Sequence, residues 1–397
     1  MTVDTGKGRI PLITLVAILS VSAIVSLPGL AISPILDDMS HIFPHARKLE
    51  ISMLESLPSL MIIPFMLLAG RWSVVGNKLR ILAVGTTLFL LSGVWSVVAS
   101  HLVELIVAST LMGIGAGMII PLSTGLIVDY FTGDRRVRQL GLSSAVNNLT
   151  LVVATSVVGY LADVSWHLAF VVYLLPAITL VLLPAIRRAK PEPEPVGGAQ
   201  NRQTKLNKGV ILGLMVFYFV ITYLSLIVTF NTSYLAAESG IHSDKAGLII
   251  SLFFLAIMAP GLILDRVVAL MRGWLNVVSL AVMGIGLIVM ALPHATFTQL
   301  WVGALMAGLG YGVMQPVIYD KAATNAPPQQ STLALSLVMV VNYLAILVAP
   351  FLIDALDKVF HASGYRFAYM LNGIVSLSVA VIAWLRMRHS VVLGSDD

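Results

Sequence analysis

The sequence predicts an all-α, polytopic membrane protein with twelve transmembrane helices in two pseudo-symmetric six-helix bundles. Three observations predict it. The 397-residue chain is 58% hydrophobic and only 11% charged, with a mean hydropathy of +0.94, whereas soluble domains carry roughly 25% charged residues. Apolar windows of about 20 residues, enough to cross about 30 Å of hydrocarbon, recur along the whole length. One motif also returns inside apolar sequence: "GIGAGMIIP" at 113–121 comes back as "GLGYGVMQP" at 308–316, an offset of 195 residues.

Spans 1 to 6 fall near 10–33, 50–70, 80–99, 102–123, 138–161 and 167–186. Spans 7 to 12 fall near 209–236, 245–264, 275–293, 298–319, 331–353 and 366–385. None alternates with period two as a barrel strand would. Backbone groups in lipid must pair internally, so these windows are helices. Span 1 is longer than the apolar core of a signal peptide and lacks a small-residue cleavage site, so it reads as a mature helix. The polar gap "RRAKPEPEPVGGAQNRQTKLNK", 187–208, is rich in Pro, Gly and charge. It reads as a cytoplasmic linker between an N-terminal bundle, 1–186, and a C-terminal bundle, 209–397.

Orientation follows from Lys and Arg. With the N-terminus in the cytoplasm, that side collects 19 of the 24 basic residues, and only Arg47, Lys48, Lys245, Lys358 and Arg366 lie opposite. The bias falls the same way in both halves, and the even number of spans then places both termini in the cytoplasm; a multi-pass protein of the inner membrane is expected. The net charge of +5 and pI near 9.4 are therefore mostly a topogenic signature, not a nucleic-acid footprint.

The repeat puts Gly113, Gly115, Gly117 and Pro121 in span 4, and Gly308, Gly310, Gly312 and Pro316 in span 10. At the same offset Arg71 falls on Arg266 and Asn147 on Asn342. The halves thus read as parallel repeats about an axis along the membrane normal. Glycines four apart let another backbone approach closely, and a proline inside a span frees a carbonyl and can kink the helix. Tight packing and a part in movement are both open for these residues.

Several chemistries find no support. The chain has no cysteine, hence no disulfide or thiolate site. Its histidines show no metal-ligand spacing. "GIGAG" lacks the preceding strand of a nucleotide fingerprint, and no Walker lysine motif occurs. No nucleophile–base pair lies at depth, so an enzyme is not expected, and neither a cofactor nor a metal is called for.

Twelve spans, a 6+6 division, a central cytoplasmic loop and parallel repeats resemble the major facilitator superfamily of secondary transporters. "LPSLMIIPFMLLAGRW" in span 2, "GIGAGMIIPLSTGLIVDYF" in span 4 and "SWHLAFVVYLL" entering span 6 resemble its bacterial drug:proton antiporter branch. The chain departs from the family pattern in places. The loop after span 2 reads "GRWSVVGNKLR", with Val74 where the family has Asp; the span 4 position usually held by Arg is Ser109; the antiporter motif of span 5 is reduced to "TSVVGY". The resemblance implies a monomeric carrier working by alternating access, with protons as coupling partner and efflux as direction.

Polar groups inside a membrane are costly and face a cavity or the bundle interior. Asn147 and Asn148 lie about 15 Å into span 5, and Asn342 equally deep in span 11, near the midplane where carriers of this type hold cargo. Asn147 and Asn342 are expected to face each other across a central cavity and bind substrate; interhelical hydrogen bonding is the alternative. Asn148, Gln315 beside Pro316, and Tyr223 in span 7 are further substrate-binding candidates, with packing the alternative for Tyr223. Glu55, about 8 Å inside span 2, is the proton-coupling candidate because partial desolvation would raise its pKa. Asp129 at the end of span 4 is expected to form a cytoplasmic gate with Arg135 or Arg136, and Asp320 with Lys321 to serve the same purpose after span 10. By resemblance, Arg71, Asp265 and Arg266 border inner loops that lock the halves through charge pairs. Apolar walls with sparse amides suit a small amphipathic organic cargo; the resemblance implies that it is moved out of the cell in exchange for protons. Uptake or facilitated exchange of a weakly polar metabolite is the other reading.

Overall fold

The computed structural model describes residues 2–31, 35, 39, 42–44, 46, 48–188, 206–241, 243–293, 296–360, 365–386 and 392–393. Among these, ten helices are long and apolar enough to cross a membrane, and two shorter apolar helices, Leu12–Ala23 and Gly247–Leu262, complete the series. Each matches one predicted span. The helices outrun the apolar windows at several ends: span 4 runs Leu102–Tyr130, span 5 Gly133–Val164 and span 10 Phe297–Thr324.

Two spans differ from the unbroken helices expected. Span 1 stops at Ala23 and resumes only as the short helix Leu27–Leu30. Pro28 explains the break: it has no N–H to donate, and its ring collides with the carbonyl four residues back. Span 6 begins as Trp166–Ala169, tightens into a 3-10 turn over Phe170–Leu174 and becomes α-helical again at Pro176, for the same reason. Spans 8 and 9 are joined by a helix that was not foreseen, Leu264–Met271, ending at Arg272 with a positive φ of 42°.

A second unforeseen element precedes span 1. β1, Thr2–Asp4, pairs antiparallel with β2, Arg9–Pro11, placing Val3 opposite Ile10. Gly6 makes the turn at φ +86°, where a side chain would be strained, and its N–H donates to Asp4 Oδ1 at 2.9 Å. The hairpin sits against the loop joining spans 4 and 5: Thr132 N–H donates to Thr5 O at 3.1 Å.

The repeated glycines are points of close backbone approach. A Cβ on Gly113 would lie 2.5 Å from Pro58 O, and one on Gly117 2.7 Å from Ile62 O, both in span 2. Gly115 turns the other way, toward Gly85 of span 3. In the second half Gly308 abuts Phe253 and Gly312 abuts Ile257, both in span 8, while Gly310 abuts Ser279 of span 9. Phe253 and Ile257 stand 195 residues beyond Pro58 and Ile62. The duplication therefore extends from the glycines to the residues they touch. Pro121 is buried and Pro316 lies within span 10, where the helix continues past it.

The chain clusters into two compact units. Unit 1 comprises 1–139, 146–207 and 323–343; unit 2 comprises 140–145, 208–322 and 344–397. In unit 1 Gly70 packs on Ser336 and Leu333, and Gly125 on Thr332. In unit 2 Gly141 packs on Gly261 and Leu264.

Candidate functional site

The most developed polar site lies within unit 2. Span 7 runs Lys208–Glu238 and span 10 Phe297–Thr324. Tyr311, Gln315 and Tyr319 follow one another at intervals of four on span 10, so they share one face. Tyr218 and Thr222 do the same on span 7. These faces meet. Gln315 Nε2 donates to Tyr218 OH at 3.1 Å and to Tyr319 OH at 3.2 Å. The two phenol oxygens are 2.6 Å apart, with their rings edge to face and centroids 5.6 Å apart. Tyr311 OH lies 3.4 Å from Thr222 Oγ1. Ser144 Oγ, on the piece of span 5 that belongs to this unit, donates to Gln315 Oε1 at 3.4 Å.

This cluster is deep. Tyr218 is ten residues into span 7 and Gln315 nine residues before the end of span 10. At 1.5 Å per residue both stand about 15 Å from the same end, half of a roughly 30 Å hydrocarbon layer. Tyr218 is fully buried and Tyr311 nearly so. Both N–H groups of the Gln315 amide are engaged. The two phenols share one O–H between them, and Tyr218 is also hydrogen-bonded to Tyr311. Among the described residues no charged side chain hydrogen-bonds to Tyr218, Gln315 or Tyr319. The cluster offers neutral donors and acceptors framed by aromatic rings.

Gln315 was foreseen; Tyr218, Tyr311, Tyr319, Thr222 and Ser144 were not. Their signal was the i, i+4 ladder of hydroxyl-bearing residues inside two apolar spans. Tyr223, the neighbour singled out in its place, is buried in span 7; a helix turns about 100° per residue, so it faces a different side from Tyr218.

In unit 1, Asn147 Oδ1 accepts a hydrogen bond from Ser26 N–H at 3.2 Å. Ser26 lies in the break of span 1, where the backbone has lost its helical partner. The interhelical role is therefore realised for the Asn147 oxygen, while its Nδ2 has no partner among the described residues. Ser22 Oγ and Ser123 Oγ, both buried, lie 3.1 Å apart and tie span 1 to span 4. Asn148 and Asn342 are half-buried and both have partners.

The charge arrangement corrects one expectation. Asp129 pairs with Lys78, Nζ to Oδ2 at 2.7 Å and to Oδ1 at 2.9 Å, and not with Arg135 or Arg136. The reason is local geometry. Asn77 caps span 3 by accepting from Leu79 N–H at 3.0 Å, which sets Lys78 at the start of that helix, beside the end of span 4. Arg135 instead pairs with Asp4 of the hairpin at 2.8 Å. Lys7 Nζ donates to the Asp129 backbone carbonyl at 3.2 Å, so two ammonium groups stand at the negative end of the span 4 dipole. Asp320 is half-buried and has a partner. Asp265 lies in the first turn of Leu264–Met271. It makes no ion pair among the described residues, and neither does exposed Arg71 or Arg266. The Glu55 side chain lies outside the described residues. Among the described residues no group of three or more His, Asp or Glu could hold a metal.

The model of the Major Facilitator Superfamily matches residues 12–230 and 210–394. The chain belongs to the Major Facilitator Superfamily. As a member, with ten helices long and apolar enough to cross a membrane among the described residues, it is a multi-pass membrane protein. Superfamily structures share its fold: the proton:xylose symporter XylE bound to 6-bromo-6-deoxy-D-glucose aligns with a TM-score of 0.71 over 94% of each chain at 17% identity. The human organic anion transporter MFSD10 aligns with a TM-score of 0.67 over 93% of this chain and 98% of that one at 14% identity. Among curated superfamily proteins, the quinolone resistance protein NorA of Staphylococcus aureus is 23% identical over 153 residues. That match spans 38% of this chain and 39% of NorA.

Proposed function

We propose that this superfamily member is a secondary active carrier exporting a small amphipathic organic compound in exchange for protons. The observation that carries the cargo class is the Tyr218–Gln315–Tyr319 cluster: neutral, aromatic-framed and half a bilayer deep. Such a site pays little desolvation for an uncharged or weakly polar ligand, whereas a multiply charged metabolite would need a buried countercharge. Asn147, Asn342, Asn148 and Tyr223 complete the substrate-binding set in this reading. The efflux direction is supported by the partial likeness to NorA. Glu55 is the proton-coupling residue. Asp129 with Lys78 forms a gate at the cytoplasmic end, and Asp320, Arg71, Asp265 and Arg266 serve the corresponding inner loops. Two bundles, 1–186 and 209–397, joined by the linker 187–208, alternate access to the site. The carrier is a monomer in the inner membrane with both termini in the cytoplasm.

Uptake is the second reading, and one observation favours it: a hydroxyl-and-amide cluster also suits a polyhydroxylated solute, and the fold is shared with a proton:xylose symporter. Reconstitution in liposomes decides. An imposed proton gradient should drive lipophilic cations or neutral drugs against their concentration gradient, opposite to proton flow. Movement that ignores the gradient removes antiport, and movement with the proton favours the second reading.

A further inference from the structure

The β1–β2 hairpin is a built element for which the transport reading has no use. Thr5 and Ile10 are buried. The Thr5 hydroxyl closes the turn: it donates to Gly8 O at 3.0 Å and accepts from Lys7 N–H at 3.2 Å and from Gly8 N–H at 3.1 Å. Its one donor and two lone pairs are thereby engaged, so the turn is fixed from within. This turn stands on the two-residue loop, Phe131 and Thr132, between spans 4 and 5. Thr132 N–H donates to Thr5 O at 3.1 Å, Lys7 Nζ donates to Asp129 O at 3.2 Å, and Arg135 Nη2 lies 2.8 Å from Asp4 Oδ2. Gly6 is tight against the same loop. A Cβ there would lie 2.6 Å from Thr132 Oγ1 and 3.3 Å from Arg135 Nη1.

These contacts bear on the ion pair next to them. Asp129 stands in the last turn of span 4 and Arg135 in the first turn of span 5, on either side of that short loop. Arg135 is by chemistry the better partner for a carboxylate. A planar guanidinium can meet both oxygens at once, whereas an ammonium is a point charge. Yet Asp129 meets Lys78. Asp4 holds Arg135, and Gly6 stands against its other amino group. Asp4 and Arg135 have no other ion pair among the described residues. Both side chains are about half exposed, so their pair is weak by itself. It needs only to tip a competition between two cations for one carboxylate.

We propose that Asp4 is a positioning residue for the Lys78–Asp129 pair, and that the hairpin selects which cation Asp129 meets. With the hairpin seated, Asp4 occupies Arg135, and Asp129 ties span 4 to span 3. With the hairpin unseated, Arg135 turns to Asp129, the bond joins only the adjacent ends of spans 4 and 5, and span 3 is released. The regulatory consequence rests on the reading of Lys78–Asp129 as a gate: the hairpin then sets how firmly that end closes.

The test is a set of double-mutant cycles on the full chain in detergent. The cycle between Lys78→Gln and Asp129→Asn is measured by unfolding midpoints in five backgrounds: unchanged, Asp4→Asn, Asp4→Glu, Arg135→Gln, and Asp4→Asn with Arg135→Gln. Asp4→Asn should weaken the Lys78–Asp129 coupling about twofold, the scale of one exposed ion pair. Asp4→Glu should keep it. Asp4→Asn should change nothing once Arg135→Gln has removed the competitor. Gly6→Val collides with Thr132 and unseats the turn with Asp4 intact, so it should reproduce the loss and be relieved by Arg135→Gln in the same way. Undiminished coupling in Asp4→Asn overturns the proposal, as does a loss that persists with Arg135→Gln. A hairpin that only adds stability would lower every midpoint alike and leave the coupling unmoved. The chain has no cysteine, so labelling of Ser123→Cys by N-ethylmaleimide reads opening near this end. Ser123 is buried and lies six residues before Asp129 on span 4. Labelling should speed up in Asp4→Asn. A coupling that falls while labelling stays the same supports the role of Asp4 and removes the gate reading.

Discussion

Lys78 Nζ lies 2.7 Å from Asp129 Oδ2, bridging the start of span 3 and the end of span 4. The Asp129 main chain in turn holds Lys7, so one residue joins three chain segments at the end of unit 1. The pair is partly shielded, with side-chain exposures of 19% and 24%, and so falls between a surface pair and a buried one.

Breaking this pair should cost about 1 kcal/mol. Asp129→Asn and Lys78→Gln are expected to lower the unfolding midpoint in detergent by similar amounts. The double variant should lose no more than either single one, as coupled residues do. Simple additivity of the two losses would show that the pair contributes nothing.

The Gln315 amide should govern affinity for cargo. Gln315→Leu leaves both phenols without their shared donor, and an unmet buried hydrogen bond costs about 1–3 kcal/mol. KM for the exported compound is expected to rise about tenfold while expression and folding persist. Tyr218→Phe removes one hydroxyl and should give a smaller rise. An unchanged KM in both variants would take cargo away from this cluster.

Asn147→Ala separates architecture from binding. The loss of the Ser26 cap should cost about 1 kcal/mol, read as a lower unfolding midpoint. Asn147→Asp keeps the accepting oxygen and removes the free amide donor. It should retain stability and lose transport if Nδ2 contacts cargo. Wild-type transport by Asn147→Asp would leave the residue as a cap alone.

The glycines should divide by surroundings. Gly113→Ala and Gly308→Ala force carbonyls of spans 2 and 8 aside and should cost about 1–3 kcal/mol each. Gly133→Ala meets nothing within 4 Å but requires φ +56°, so it should cost about 1 kcal/mol. Gly247→Ala meets nothing and needs no unusual φ; it should be neutral or stabilising. Thermal unfolding of the four purified variants checks the order.

Much of the fold was legible because lipid imposes a simple rule. Every span had to be apolar and helical, so hydropathy located all twelve, and the 195-residue offset matched Gly113 and Gly117 to Gly308 and Gly312. The site was less legible. Gln315 stood out as an amide in an apolar span, but its partners are tyrosines, which composition counts as hydrophobic. Asn147 was located at depth, yet its bond to Ser26 depends on a helix break that Pro28 creates. The partner of Asp129 was misjudged because nearness in sequence favoured Arg135, while the cap at Asn77 brings Lys78 closer in space.

By itself the amino-acid order determined what repeats and what must be buried: twelve helices, two related sixes and a few stranded polar groups. Those are properties of single segments in contact with lipid, and each segment reports them alone. The tertiary structure decided which polar group meets which, since hydrogen bonds and ion pairs depend on sub-ångström positions set by distant helices packing together. Tyr218 on Gln315, Lys78 on Asp129 and Asp4 on Arg135 each join residues about 50 or more positions apart, and no local pattern carries that distance.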